Sequence, residues 1–171
     1  MAAPKAPPAL SYTPTHSGAL LVIALKALSE DGRLRVRLGG ISMSPFIRDG
    51  ELAEVGPRPR QPRRGMVLVC TPDDKAFIIH RVIGLRMKGG GWQVHTKGDS
   101  LARADRWWEP SEVLGQIVAL HRGSSRVPLD RGWLGRLGWL YSWVSPFSPI
   151  FYPVAWRLRS AWRKLLGREP H

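Results

Sequence analysis

Arg33-Leu34-Arg35-Val36-Arg37-Leu38-Gly39-Gly40-Ile41-Ser42-Met43-Ser44-Pro45-Phe46 combines two signals. Its first six residues alternate strictly between arginine and an aliphatic side chain. That is the pattern of a strand with Leu34, Val36 and Leu38 on a core face and three arginines on the other. Two glycines then release the chain into a turn that carries Ser42. Short strands separated by turns continue downstream. Leu52–Val55, Met66–Cys70, Ala76–Leu85, Trp92–Thr96 and Val113–Arg122 all read as strands, with a Pro/Arg loop over Gly56–Arg64 and a Gly89-Gly90-Gly91 turn. The predicted fold is mainly β.

The flanks differ from this body. Four prolines fall among residues 1–16, which read as a disordered lead. Ser17 suits the N-cap of a helix over Gly18–Leu28, closed by Asp31-Gly32. Its apolar run, Ala19–Leu25, is too short to span a bilayer. After Arg131 no acid occurs until Glu169. Leu137–Trp156 is uncharged, but Pro146, Pro149 and Pro153 interrupt it, which favours a broken interfacial segment over a spanning helix. Val154–Leu166 places Val154, Leu158, Ala161, Trp162, Leu165 and Leu166 on one arc and Arg157, Arg159, Arg163 and Lys164 on another, the pattern of a basic amphipathic helix. The chain therefore divides into a lead (1–16), a β domain with its leading helix (17–130) and a basic tail (131–171).

Charge and composition narrow the partners. The 171 residues carry 26 Lys+Arg against 13 Asp+Glu, a formal net charge of +13, which favours an anionic partner surface. Five of the eight tryptophans follow residue 130, and Trp beside Arg suits a lipid interface. An anionic membrane surface met through residues 133–166, with the protein peripheral or interfacial, is expected over nucleic acid. A cytoplasmic location is the alternative. The single Cys70 excludes an internal disulfide framework. No cofactor is implied. His80, His95, His121 and Cys70 lack metal-ligand spacing, and the triple glycine does not open a helix as a phosphate loop does.

Ser42 is a candidate nucleophile, and serine needs a neighbouring base. His80, in the longest predicted strand, has the right chemistry. Asp99 and Asp105, both after Trp92–Thr96, are the candidate acids to orient it; on the residues alone, either could serve.

Four segments in order resemble the signal peptidase I and LexA-type serine peptidase superfamily. They are Ser42-Met43-Ser44-Pro45, Gly65-Met66-Val67-Leu68-Val69, His80-Arg81-Val82-Ile83-Gly84 and Thr96-Lys97-Gly98-Asp99-Ser100. The resemblance covers roughly residues 33–122 and is closest to the Ser-His type found in archaea and the endoplasmic reticulum. It implies a β catalytic domain and a serine endopeptidase that cleaves a leader- or signal-type peptide through an acyl-enzyme. It further implies Ser42 as nucleophile rather than Ser44, His80 as base, Asp105 as acid and Asp99 as support for its turn. Gly40 stands where many bacterial members carry a serine that helps bind the oxyanion, so that role passes to backbone N–H groups. Ile41 replaces a small residue and is expected to narrow the cleft. A LexA-type self-cleaving regulator is an alternative, although no helix-turn-helix precedes the first strand. A non-enzymatic basic module that binds membrane or nucleic acid is another.

Overall fold

The computed structural model describes residues 9–10, 32–73, 76–130 and 132–144. The predicted helix over Gly18–Leu28 and the amphipathic segment Val154–Leu166 lie outside the described residues. Within them the chain is mainly β, as its alternation predicts. The strands are β1 (Ala9–Leu10), β2 (Leu34–Arg37), β3 (Leu52–Pro57), β4 (Val67–Asp73), β5 (Ala76–Lys88), β6 (Gly91–Lys97), β7 (Trp107–Trp108), β8 (Val113–Arg122) and β9 (Ser125–Pro128). Among the described residues one α-helix, α1, spans Gly132–Val144, and a short 3-10 turn covers Pro110–Glu112.

All nine strands belong to one sheet in the order β1-β2-β3-β8-β4-β5-β6-β7, with β9 joined to β8. Every pairing is antiparallel except β1 with β2. β1 corrects part of the sequence reading: Ala9 and Leu10 pair with Arg35 and Val36 instead of lying in a disordered lead. β8 is the central strand. One edge pairs with β3, and the other pairs with β4 near its start and β9 near its end.

The alternation in β2 is realised. Leu34, Val36 and Leu38 are buried, and Arg33 and Arg37 are exposed. β4 has no such alternation because both its faces are covered. Val67 and Val69 enter a core built on β2, β3 and β8, whereas Leu68 and Cys70 enter a second core with Val82, Val94 and Trp108. A strand buried on both sides reads as a continuous apolar run, which is what Met66–Cys70 is. Burial pushes the Cys70 thiol up to about 12, so it is not a reactive nucleophile. On β3, buried Glu54 accepts from Arg126 Nε and Nη2, each at 2.8 Å, tying β9 across β8 to β3. The Arg126 guanidinium holds the Glu54 carboxyl below its usual range.

α1 begins at Gly132, so the uncharged stretch expected from Leu137 opens inside a helix. No helix among the described residues is long and apolar enough to cross a membrane. α1 packs on β5 and β9 and closes on the turn before β4, where the fit depends on Gly65. That residue has φ +88, and a Cβ on it would sit 2.7 Å from the backbone N and Cα of Trp139. Leu137, Trp139, Leu140, Trp143 and Val144 of α1 remain exposed.

Candidate active site

Ser42 occupies the turn after β2. Ser44 N–H donates to the Ile41 carbonyl and Ile47 N–H to the Met43 carbonyl, each at 3.0 Å. Met43 and Ile47 are buried and root the turn in the first core. From outside, Ser100 N–H donates to the Ser42 carbonyl at 2.9 Å, and Ser100 Oγ donates to the Ile41 carbonyl at 2.7 Å. The Gly40 N–H is engaged by Asp49 Oδ1 at 2.7 Å. The Ser42 N–H has no partner among the described residues, which leaves it able to donate to a developing oxyanion.

His80 comes from β5, opposite Leu68 of β4, and is 6% exposed. Its Nδ1 lies 2.7 Å from Asp105 Oδ2. A carboxylate only accepts, so this contact puts a proton on Nδ1, and in the neutral imidazole Nε2 then keeps the lone pair. Nε2 faces Gly98. A Cβ on Gly98 would lie 2.9 Å from His80 Nε2 and 2.8 Å from the Ser42 carbonyl oxygen. The base and the nucleophile's turn thus close on the same glycine. They also line one cavity of about 290 Å³, with Leu38, Ile47 and Phe77 among its apolar walls. No hydrogen bond joins Ser42 Oγ to His80 Nε2; catalytic contacts of this kind commonly tighten only with substrate bound. Gly98→Ala is expected to push apart the imidazole and the turn. A displacement of that size lowers reactivity by about 10²-fold. The rate of Ser42 labelling by a serine-directed phosphonate, with circular dichroism as the fold control, checks this.

Asp105 lies in the loop between β6 and β7 and is held at several points. Thr96 Oγ1 donates to its Oδ2 at 2.5 Å, its own N–H donates to the Thr96 carbonyl at 2.8 Å, and its carbonyl is 2.9 Å from His95 Nε2. Trp108 Nε1 donates to Thr96 Oγ1 at 2.8 Å. Asp99 goes elsewhere. Arg81 Nε and Nη2 donate to its two carboxylate oxygens at 2.8 and 2.7 Å, and the pair is almost wholly buried. Burial raises the Asp99 carboxyl above its ordinary value, while Arg81 opposes the shift. Arg81 also donates to the Gly65 carbonyl at 2.9 Å and stands 4.9 Å from the Phe46 ring centroid. Tyr141 Oη on α1 donates to the Asp99 carbonyl at 2.6 Å.

No protein-family model matches the chain, and no curated protein matches it.

Of the four residues picked from sequence, the fold brings Ser42 and His80 together at Gly98 and sets Asp105 on the Nδ1 side of the imidazole. Asp99 sits behind them in an ion pair. Ile41 does not narrow the cleft: it is 73% exposed and does not line the cavity. Thr96, Trp108, Arg81 and Ser100 escape a sequence search for chemistry because each acts by holding a functional group that is remote in the chain. Arg81, Thr96 and Ser100 do carry a local signal, since each lies within one of the segments singled out above.

Proposed function

We propose that this protein is a serine endopeptidase in which Ser42 is the nucleophile, His80 the general base and Asp105 the acid that orients it. What carries the reading is the His80 imidazole, bonded through Nδ1 to Asp105 and turned through Nε2 toward the glycine that backs Ser42. In this reaction Ser42 Oγ attacks the scissile carbonyl carbon as His80 Nε2 takes its proton. The Ser42 N–H receives the oxyanion, and His80 returns the proton to the leaving amine. Water, activated by the same imidazole, then hydrolyses the acyl ester. The aliphatic and aromatic walls of the cavity suit an extended peptide with an apolar side chain next to the cleaved bond, as leader- and signal-type segments carry.

The reading also places the domain at an anionic membrane surface. Trp139, Leu140 and Trp143 expose apolar area on one helix, and the chain is strongly basic. The test of the chemistry is reaction with an alkyl fluorophosphonate followed by peptide mapping. Ser42 is expected to carry the label. Buried Cys70 does not compete. Label on another serine, or on none, removes the proposal.

A further inference from the structure

Asp105 belongs to no strand, yet its carboxylate must present one oxygen to His80. The hydrogen-bond inventory around it leaves one arrangement. Trp108 Nε1–H can only donate, and it points at Thr96 Oγ1 from a ring that is 2% exposed. The Thr96 hydroxyl therefore accepts from Trp108 and turns its single proton to Asp105 Oδ2, an oxygen that can only accept when ionised. The same Oδ2 takes the His80 Nδ1 proton. Thr96 is wholly buried, so bulk water does not compete for either bond. Its backbone carbonyl holds the Asp105 amide as well, so one residue fixes both the main chain and the carboxylate.

We infer that Thr96 is a positioning residue of the site, and that Trp108 fixes the direction in which its hydroxyl donates. The inference rests on the peptidase reading above. Without the Thr96 proton, the carboxylate is free to rotate about its side-chain bonds, and the imidazole loses the fixed partner that aims Nε2 at the nucleophile. A threonine is suited to this position for two reasons. It is a branched residue at home in β6, and its hydroxyl is a donor and an acceptor at once.

The test follows the rate of Ser42 phosphonylation by an alkyl fluorophosphonate, which needs no knowledge of the natural substrate. Thr96→Val keeps the shape and removes the hydroxyl. It is expected to slow labelling by about 10²-fold, the cost of misplacing a reacting group, with Thr96→Ser returning to within about threefold, since a hydroxyl is restored. The His80 Nδ1–H resonance in the proton spectrum should be sharp in the wild type and in Thr96→Ser, and broadened by solvent exchange in Thr96→Val. A merely structural threonine would alter neither quantity while the fold persists. Should Thr96→Val fail to fold by circular dichroism, Thr96→Cys keeps the bulk with a weaker donor and is expected to label at an intermediate rate. Wild-type labelling by Thr96→Val, or by Thr96→Cys where the valine variant does not fold, with Ser42→Ala unlabelled, overturns the role of Thr96 and leaves the peptidase reading standing. Undiminished labelling of Ser42→Ala overturns the peptidase reading itself.

Discussion

Ser42→Ala is expected to abolish covalent labelling, and His80→Ala to reduce cleavage of any accepted peptide on the order of 10⁶-fold. The two effects should be no larger in combination. Nucleophile and base act in one proton transfer, so removing either removes the step. Asp105→Asn tests a different property. The amide is as large as the carboxylate, and Thr96 and the main chain still hold it. It lacks the negative charge that stabilises the imidazolium, and it can offer a donor where His80 Nδ1–H needs an acceptor. A loss of about 10⁴-fold is expected. Cleavage of a peptide library, read by mass spectrometry alongside phosphonate labelling, measures all three. Wild-type turnover by His80→Ala would remove this residue from the chemistry. Equal activity of Asp105→Asn would reduce Asp105 to a structural group.

The largest effect on stability is expected at the Arg81–Asp99 pair. Arg81 is 3% exposed and the Asp99 side chain is fully buried, so neither charge can be rehydrated when its partner is lost. Asp99→Ala strands a guanidinium beside the Phe46 ring and the Gly65 carbonyl, its other neighbours. Breaking a buried pair in this way costs about 3–5 kcal/mol. In a domain of this size, about 4 kcal/mol lowers the melting temperature by roughly 8–16 °C. Replacing both partners, as in Arg81→Met with Asp99→Leu, should recover much of that loss, since no charge then remains buried. Thermal denaturation followed by circular dichroism distinguishes these cases. A single replacement that melts with the wild type would show the pair to be energetically idle. The pair also touches three parts of the site region: the turn through Phe46, the Gly98–Asp99 corner, and α1 through Tyr141. Stability and reactivity should therefore fall together at Asp99, but separately at Ser42.

The legible parts of the fold are those with a repeating physical constraint. β2 has one wet face and one dry face, so Leu34, Val36 and Leu38 announce it. β4 is dry on both faces, so its apolar run does. β1 and β7 are two residues long and have no room for a period. In Trp107–Trp108 both side chains are aromatic, and only the sheet determines that Trp108 is buried. α1 was obscured by composition. With Arg136 its only charge and glycines at 132, 135 and 138, it lacks the caps and charge pairs that mark a helix, and its existence depends on packing against Gly65. In the site, Ser42 and His80 could be chosen by their chemistry. Residue types could not separate Asp99 from Asp105. Resemblance favoured Asp105, and the fold brings that residue to His80 while Arg81 takes Asp99.

The two cores that meet at β4 also divide the site between them. Ser42 rides on Met43 and Ile47 in one, while Asp105 is moored by Thr96 to Trp108 in the other. The cleft therefore draws its walls from both cores, although one sheet runs through them. A void opened in either core by a large-to-small substitution reaches the cleft from its own side. Reactivity at Ser42 is in that sense a gauge of packing on both faces of β4, more sensitive than any measure of strand content.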